Sequence, residues 1–186
     1  MKQAIWHGGA DFRVEEVPDP RPSAGEIIVK VHTCGLCGSD VHATQGLFPF
    51  KPPMILGHEF SGEIVETGDG VDPAFKGRHV VCEPTVDCGQ RVRCRSDQDW
   101  LCTDARRIGG MTQYAAIPLR RTAFVPDGLS LETASLIEPA SCCLAGLEMF
   151  PMPKDATILV IGGGLLGQVT MTLAKRLGAK KSDTLR

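Results

Sequence analysis

Cys34 and Cys37 lie three residues apart in the segment Cys-Gly-Leu-Cys-Gly-Ser-Asp, which spans residues 34–40. Taken alone, such a C-x-x-C pair is typical of a redox dithiol with a lowered thiol pKa. A second segment, Gly57-His58-Glu59, opens the pattern G-H-E-x2-G-x5-G-x2-V without a gap. Thiolate and imidazole are ligands of the soft or borderline kind that zinc prefers. The residue types thus allow two interpretations at this point, a redox dithiol and a metal site.

A glycine-rich turn lies near the end of the chain, where Gly162, Gly164 and Gly167 form G-x-G-x-x-G. The turn follows an apolar β-branched run, residues 156–161, and precedes a segment with leucine and valine at helical spacing. A strand, a glycine turn and a helix in this order place a pyrophosphate at the helix N-terminus. The alternative is a structural β-α turn that binds no nucleotide.

The composition of the 186 residues is that of an ordinary globular protein, with 42% hydrophobic and 23% charged residues. This length suits one well-buried domain and part of a second. The formal net charge of -2 gives no electrostatic reason to expect nucleic acid or an anionic membrane as a partner. The sequence shows neither a basic leader nor a long apolar run, which predicts a cytoplasmic location. In that compartment eight cysteines favour metal binding or chemistry over disulfides.

Short β-branched runs broken by glycine and proline predict a strand-rich domain over residues 1–153. Pro151 and Pro153 mark its boundary with a second domain, residues 154–186, whose first unit is one strand and one helix. The predicted strands of the first domain span residues 26–31, 62–66, 78–82 and 114–117.

A helix is predicted to begin at Leu131. Ser130 suits its N-cap, and Glu132 lies favourably in its first turn. Pro139 is expected either to kink this helix or to start a new one, because proline cannot occupy a helix interior without breaking its hydrogen bonds.

Five motifs appear in order along the chain, from residue 2 to about residue 179: C-G-x-C-G-S-D, G-H-E, a cysteine-rich segment, I-E-P-A and the glycine-rich turn. In this set the chain resembles the zinc-dependent medium-chain dehydrogenases, in particular their sorbitol and threonine dehydrogenase branch. The resemblance implies a mixed α/β fold, in which a β-rich GroES-like catalytic domain precedes the first β-α unit of an incomplete Rossmann domain. It also implies hydride transfer between a secondary alcohol or polyol and NAD or NADP.

The resemblance assigns ligands to a catalytic zinc ion. Cys37 and His58 are the first two, and Glu138 of the I-E-P segment is the third ligand or a close neighbour of the metal. Glu59 competes for that third role. Asp40 is expected to accept a hydrogen bond from the other ring nitrogen of His58, which would fix the imidazole tautomer.

A proton must leave the site when an alcohol is oxidised. Ser39 and His42 match the positions of the family's hydroxyl and histidine relay, and the resemblance gives them that catalytic role. The alternative for His42 is an ordinary surface histidine.

The family often holds a second, structural zinc ion with four cysteines spaced C-G-x-C-x2-C-x7-C. In this chain Cys88, Cys94 and Cys102 fit the spacing, but Arg91 stands at the second position. Closed structural sites are almost always four-coordinate, and an arginine carries no lone pair with which to bind a metal. We therefore expect a degenerate lobe that is empty or poorly occupied.

The tail, residues 180–186, contains no strand-like apolar run, so the cofactor domain is expected to stop after its single β-α unit. The acidic residue that distinguishes NAD from NADP is then missing, and an apolar surface is expected along residues 158–161 and 165–177. Such a surface is expected to aggregate, to pair with a second copy or to dock on a missing fragment. The alternative to an active enzyme is an inactive, truncated zinc-binding remnant. An alcohol or polyol is the expected small-molecule partner.

Overall fold

In the computed structural model, the described residues are 1–48, 50–96, 98–150, 152–153 and 155–185, with the backbone alone for residues 181–185. The chain forms two compact units, Met1–Leu136 and Ile137–Arg186. The domain boundary near residue 153 stays a prediction. Pro151, one of the two prolines that suggested it, lies outside the described residues.

The described residues form twelve strands and five α-helices, numbered in chain order. The strands are β1 (Lys2–Gly8), β2 (Asp11–Glu16), β3 (Glu26–Gly35), β4 (Met54–Ile55), β5 (Glu59–Thr67), β6 (His79–Cys82), β7 (Thr85–Val86), β8 (Arg106–Arg107), β9 (Tyr114–Pro118), β10 (Thr122–Phe124), β11 (Thr157–Ile161) and β12 (Lys181–Leu185). The helices are α1 (Gly38–Thr44), α2 (Val92–Arg95), α3 (Leu131–Ala134), α4 (Ile137–Glu148) and α5 (Leu165–Arg176). Three 3-10 turns accompany them, at Pro73–Phe75, Asp99–Leu101 and Leu119–Arg121.

An antiparallel five-stranded sheet in the order β10-β6-β5-β3-β9 forms the centre of the first unit. Strand β3 lies inside it, so Ile27 and Val29 are fully buried and pack with Phe60, Ile64 and Ile117. Ile27 and Val29 share one face because side chains alternate along a strand. Burying an aliphatic or aromatic side chain of this size contributes about 1.5–3 kcal/mol relative to leaving it exposed. The apolar runs thus anchor the strands whose ends carry the site.

The four predicted strands of the first unit overlap β3, β5, β6 and β9, which confirms them. The sequence did not single out the hairpin of β1 and β2, in which Lys2 pairs with Glu16. Phe12 and Val14 on β2 are 48% and 74% exposed. This strand therefore lacks the buried apolar face on which a prediction from sequence depends. The hairpin is held largely by backbone pairing.

Helix α3 begins where the sequence predicted. The backbone N–H of Thr133 donates to the Ser130 hydroxyl at 3.2 Å, which satisfies one of the free donors of the first turn. A separate helix, α4, begins at Ile137, so the predicted restart near Pro139 is confirmed. Pro139 lies in its first turn, where a missing N–H costs no hydrogen bond.

The second unit contains a β-α-β arrangement, and the expectation that the tail forms no strand is wrong. Strand β12 pairs in parallel with β11, from Thr157 opposite Lys181 to Ile161 opposite Leu185. The error arose because the tail was judged by its side chains, whereas a strand is defined by backbone hydrogen bonds that polar residues can also make. The described part of the second unit is therefore one strand longer than the sequence suggested.

Apolar side chains of the second unit are exposed, as predicted for residues 158–161 and 165–177. Ile161 is 82% exposed, Leu159 57% and Leu166 53%. The predicted exposure of apolar side chains on β11 and α5 is therefore confirmed. Among the described residues no helix is long and apolar enough to cross a membrane.

Candidate metal centre

Strand pairing explains how residues from distant parts of the sequence meet in the first unit. Gly35, the last residue of β3, is paired with Glu59, the first residue of β5. Cys37 follows β3 by two residues, and His58 immediately precedes β5. One ligand atom each from Cys37, His58 and Glu59 lies within 4.8 Å of the others. A thiol, an imidazole and a carboxylate therefore face one small volume.

Asp40 connects the two halves of this cluster. Its carboxylate accepts the backbone N–H of Cys37 at 3.1 Å and that of Gly57 at 3.2 Å. Its Oδ1 also lies 3.4 Å from Nδ1 of His58. Only 2% of Asp40 is exposed, so these contacts are shielded from water. The contact predicted between Asp40 and His58 is thus present, while its role toward a metal stays a prediction.

The pKa of Asp40 lies below the usual value for a carboxyl group. Burial alone raises it, but the hydrogen bonds from His58, Gly57 and Cys37 outweigh burial because they favour the ionised form. An ionised Asp40 favours the neutral tautomer of His58 that carries its proton on Nδ1, and this tautomer leaves the lone pair of Nε2 for a metal.

Two glycines of the predicted motifs make this arrangement sterically feasible. A β-carbon at Gly35 would collide with the Glu59 carboxylate. Gly57 has a φ of +77°, and a β-carbon there would lie 2.5 Å from the sulfur of Cys34. Sequence reasoning missed the role of Gly35, although the glycine is visible as the residue after the first cysteine of C-G-x-C.

The thiol of Cys34 is half-buried in this structure. Burial, followed by the nearby charges of Asp40 and Glu59, raises the pKa of Cys34 to about 12. Its sulfur therefore favours the protonated form, whereas the thiolate is the reactive form. The redox dithiol stays an alternative prediction for the Cys34 and Cys37 pair.

The two residues predicted to relay a proton differ in their surroundings. Ser39 is half-buried, and its Oγ lies 3.5 Å from Nε2 of His58. His42 is exposed in the last turn of α1 and stacks on Phe48, with ring centroids 6.3 Å apart and planes 12° from parallel. Ser39 is therefore part of the cluster, whereas the relay through His42 stays a prediction.

Glu138 lies in the first turn of α4, in the second unit, where its backbone carbonyl accepts the Ser141 hydroxyl at 2.7 Å. Its role as third ligand stays a prediction. Within the first unit the carboxylate of the cluster is that of Glu59.

The predicted lobe of three cysteines is assembled in the structure. The sulfurs of Cys88 and Cys94 are 3.8 Å apart and those of Cys88 and Cys102 are 3.6 Å apart. Hydrogen bonds from the backbone N–H groups of Gln90 and Arg91 lower the pKa of Cys88 to about 7. The Arg91 side chain pairs with Asp104, a partner that sequence reasoning missed because no short-range pattern joins the two residues.

The glycine-rich turn of the second unit has the local geometry expected for its motif. Gly162 has a φ of +105°, which favours glycine, and Gly164 is the N-cap of α5. A β-carbon at Gly167 would collide with the carbonyl oxygen of Gly162, whereas one at Gly163 would meet nothing within 4 Å. Gly162 and Gly167 therefore serve the tight turn and the close packing of helix on strand.

Comparison with known proteins adds an independent result. The alcohol dehydrogenase GroES-like domain family matches residues 23–127. Sorbitol dehydrogenase of Bacillus subtilis is 33% identical in an alignment of 189 positions, which covers 96% of this chain and 54% of that protein. (R,R)-butanediol dehydrogenase of the same organism is 32% identical, with 96% of this chain and 56% of that protein covered.

A solved structure shows the same architecture. The crystal structure of a zinc-binding dehydrogenase from Sinorhizobium meliloti bound to NADP superposes with a TM-score of 0.91 at 32% identity. The match covers 98% of this chain and 55% of that one. The chain thus spans about half the length of the curated relatives it matches.

Proposed function

Because this chain belongs to the zinc-dependent medium-chain dehydrogenase family, through its alcohol dehydrogenase GroES-like domain, we propose that it is a zinc-dependent oxidoreductase. The proposed reaction is hydride transfer between a secondary alcohol or polyol and NAD or NADP. The observation that carries the proposal is the convergence of Cys37, His58 and Glu59 within 4.8 Å around one small volume.

The donor set of this cluster fits a catalytic zinc ion. Such ions take three protein ligands from thiolate, imidazole and carboxylate, and they leave one position for water or substrate. Cys37 and His58 would supply the first two, and Glu59 or Glu138 the third. When bound, zinc supplies the Lewis acidity that lowers the pKa of an alcohol hydroxyl group.

The chain's own residues prepare this site. Asp40 orients His58 through Nδ1, and two backbone N–H groups keep the carboxylate in place. Ser39 lies 3.5 Å from Nε2 of His58 and is the proposed first carrier of the substrate's proton. His42, exposed at the end of α1, is the proposed exit to solvent.

The cofactor is proposed to be NAD or NADP, held by its pyrophosphate at the N-terminus of α5. The turn formed by Gly162, Gly164 and Gly167 supports this, because it opens a helix of twelve residues after a strand. This nucleotide-binding domain is proposed to start at residue 154, after a catalytic domain over residues 1–153. We further propose a cytoplasmic location and a homo-oligomer.

Cofactor and metal binding test the proposal together. The purified chain is expected to contain zinc at the Cys37 site and to change the fluorescence of NADH on mixing. Cys37→Ser should lose that zinc, and Cys94→Ser, in the separate lobe, should keep it. Metal content by mass spectrometry and reduction of NAD or NADP with sorbitol and butanediol give the readouts. Zinc that persists when Cys37→Ser is combined with Cys94→Ser would refute the site, and zinc without any response to NADH would favour the inactive remnant.

A further inference from the structure

Three cysteine sulfurs in the lobe of the first unit lie close enough together to bond in pairs. The Sγ atom of Cys88 is 3.8 Å from that of Cys94 and 3.6 Å from that of Cys102. A disulfide bond joins sulfurs that are about 2.05 Å apart, and a change of cysteine side-chain rotamer moves a sulfur by more than the difference. Cys88 can therefore form a disulfide with either of two neighbouring thiols.

The second position of the cysteine pattern is occupied by Arg91, and the lobe is therefore expected to be empty or poorly occupied by metal. A guanidinium group offers only hydrogen-bond donors, so it cannot replace the missing thiolate. Its Nε donates to Oδ2 of Asp104 at 2.8 Å, and a terminal nitrogen of the same group pairs with that oxygen. The three thiols are thus left to react with one another.

Arg121 contacts both of the segments that carry Cys88 and Cys102. Its guanidinium donates to Oδ1 of Asp87 at 2.7 Å, and Asp87 directly precedes Cys88. The same guanidinium pairs with Asp99, whose 3-10 turn is capped at its C-terminal end by Cys102. Asp87 and Arg121 are both buried, so water screens their ion pair little. A disulfide between Cys88 and Cys102 would therefore join two segments that one side chain already connects.

An oxidant can reach Cys88 from solvent. The residue is half-buried and lies in the wall of an open cleft of about 660 Å³, which Arg106 and Arg120 also line. Hydroperoxides are small enough to enter a cleft of this size, and exposed thiols are the ones that they oxidise. Cys82, by contrast, is only 2% exposed on strand β6 and is enclosed by the core. Access thus distinguishes the lobe from the buried cysteine of the sheet.

From this geometry we propose that Cys88 and Cys102 form a site of reversible oxidation, at which a hydroperoxide converts the two thiols into one disulfide. The Cys88 sulfur takes one oxygen atom from the hydroperoxide and becomes a sulfenic acid, while the hydroperoxide is reduced to water or an alcohol. The Cys102 sulfur then attacks the sulfenic sulfur, so that the S–S bond forms as the S–O bond breaks and water leaves.

The reverse reaction needs a dithiol reductant, whose thiolate attacks the disulfide and is itself oxidised. A bond that forms only on exposure to an oxidant agrees with a reducing compartment, where disulfides are transient. Cys94 keeps its thiol in the oxidised lobe. This inference concerns the lobe alone and does not depend on the hydride-transfer proposal.

Peptide mapping by mass spectrometry tests the site in the full chain. The reduced protein is treated with hydrogen peroxide, its remaining thiols are blocked with an alkylating reagent, and it is cleaved with trypsin. Arginines separate the three cysteines of the lobe in the sequence, so each cysteine falls in its own peptide. We expect a cross-link between the peptides of Cys88 and Cys102, an alkylated Cys94, and loss of the cross-link on treatment with dithiothreitol.

Cysteine variants show whether the cross-link depends on the observed geometry. Cys88→Ser removes the sulfur that both close pairs share, so the cross-link in the lobe should be lost. Cys102→Ser should instead yield a bond between Cys88 and Cys94. Cys142→Ser, at an exposed cysteine of the second unit, is the matched control and should leave the Cys88–Cys102 bond unchanged.

The wild-type chain alone can overturn the proposal, whether or not each variant folds. Three lobe thiols that survive the peroxide would do so, and so would thiols that are oxidised singly without any cross-link. A Cys88→Ser variant that still forms a cross-link within the lobe as readily as the wild type would contradict the role of Cys88.

Discussion

Two clusters of side chains that could ligate a metal ion lie in the described part of the first unit, and they differ in what positions them. Cys37, His58 and Glu59 gather where two paired strands of the central sheet end, around the buried carboxylate of Asp40. The three cysteines of the lobe are half-buried and lie on loops and on the short helix α2, near surface and half-buried ion pairs. The first cluster lies at the ends of strands β3 and β5, and the second lies on segments outside the five-stranded sheet.

This difference shows why a ligand can be absent from one cluster and not from the other. In the lobe, the Arg91–Asp104 and Arg121–Asp99 pairs stabilise the loop, so the fold does not depend on a fourth thiolate. In the first cluster the proposed ligands Cys37 and His58 are held by one carboxylate, Asp40, through three contacts. Metal sites that perform chemistry need such support for their ligands.

The largest effect is expected when that support is removed. Asp40→Asn should weaken metal binding at the Cys37 site by roughly 10–100-fold, as loss of an outer-shell carboxylate does elsewhere. The amide no longer provides an anion to hold the proton on Nδ1 of His58. Metal competition with a chelator measures the change.

An unrelated carboxylate provides the control for Asp40→Asn. Asp72→Asn, at an exposed turn, should leave metal binding at the Cys37 site unchanged. Equal metal affinity in the two variants would contradict the role of Asp40.

A smaller effect is expected from a crowded glycine. Gly35→Ala places a methyl group against the Glu59 carboxylate and should displace it, which lowers metal affinity at the first cluster. The carboxylate is the end of a flexible side chain, so we expect less loss than for Asp40→Asn. Gly38→Ala is the matched control, because its β-carbon would meet nothing within 4 Å. Equal metal affinity in the two variants would argue that Glu59 is not a ligand.

The smallest effect concerns acid stability of the lobe. Hydrogen bonds from Arg121, and then from Arg120 and Gly89, hold the pKa of Asp87 well below its usual range despite burial. Asp87 therefore stabilises the fold fully above the unfolded-state pKa of about 3.9, and this stabilisation is lost as the pH falls from there toward the folded-state pKa. Asp87→Asn should lower the free energy of unfolding near neutral pH and flatten its decrease in acid.

Urea unfolding at a series of pH values checks this prediction. Asp127→Asn, an exposed carboxylate before a turn, is the control and should retain the wild-type slope. An Asp87→Asn variant that lost stability in acid as steeply as the wild type would contradict the role of the Arg121 network.

The sequence predicted the parts of the molecule that short-range patterns define. The central strands follow from β-branched runs, the start of α3 from Ser130, and the candidate ligands Cys37 and His58 from motifs that resemble a known family. The missing fourth cysteine of the lobe was visible in the sequence, because Arg91 interrupts an otherwise complete cysteine spacing.

The remaining features depend on which segments pair in three dimensions. That Gly35 lies opposite Glu59 follows from the register of β3 and β5, which the local sequence does not contain. The sequence of strand β12 is polar, and its backbone pairing with β11 is what defines it as a strand. The Arg91–Asp104 pair joins residues thirteen positions apart on irregular backbone, where no periodicity applies. Long-range pairing and irregular loops thus limited the predictions.

X-ray absorption at the zinc edge of the Cys94→Ser variant tests the central claim most directly, because the lobe then no longer supplies a full set of sulfurs. We expect one sulfur at about 2.3 Å and nitrogen or oxygen ligands at about 2.0–2.1 Å. The sulfur signal should vanish when Cys37→Ser is added. A spectrum dominated by sulfur, or one unchanged by Cys37→Ser, would contradict a metal centre built from Cys37, His58 and a carboxylate.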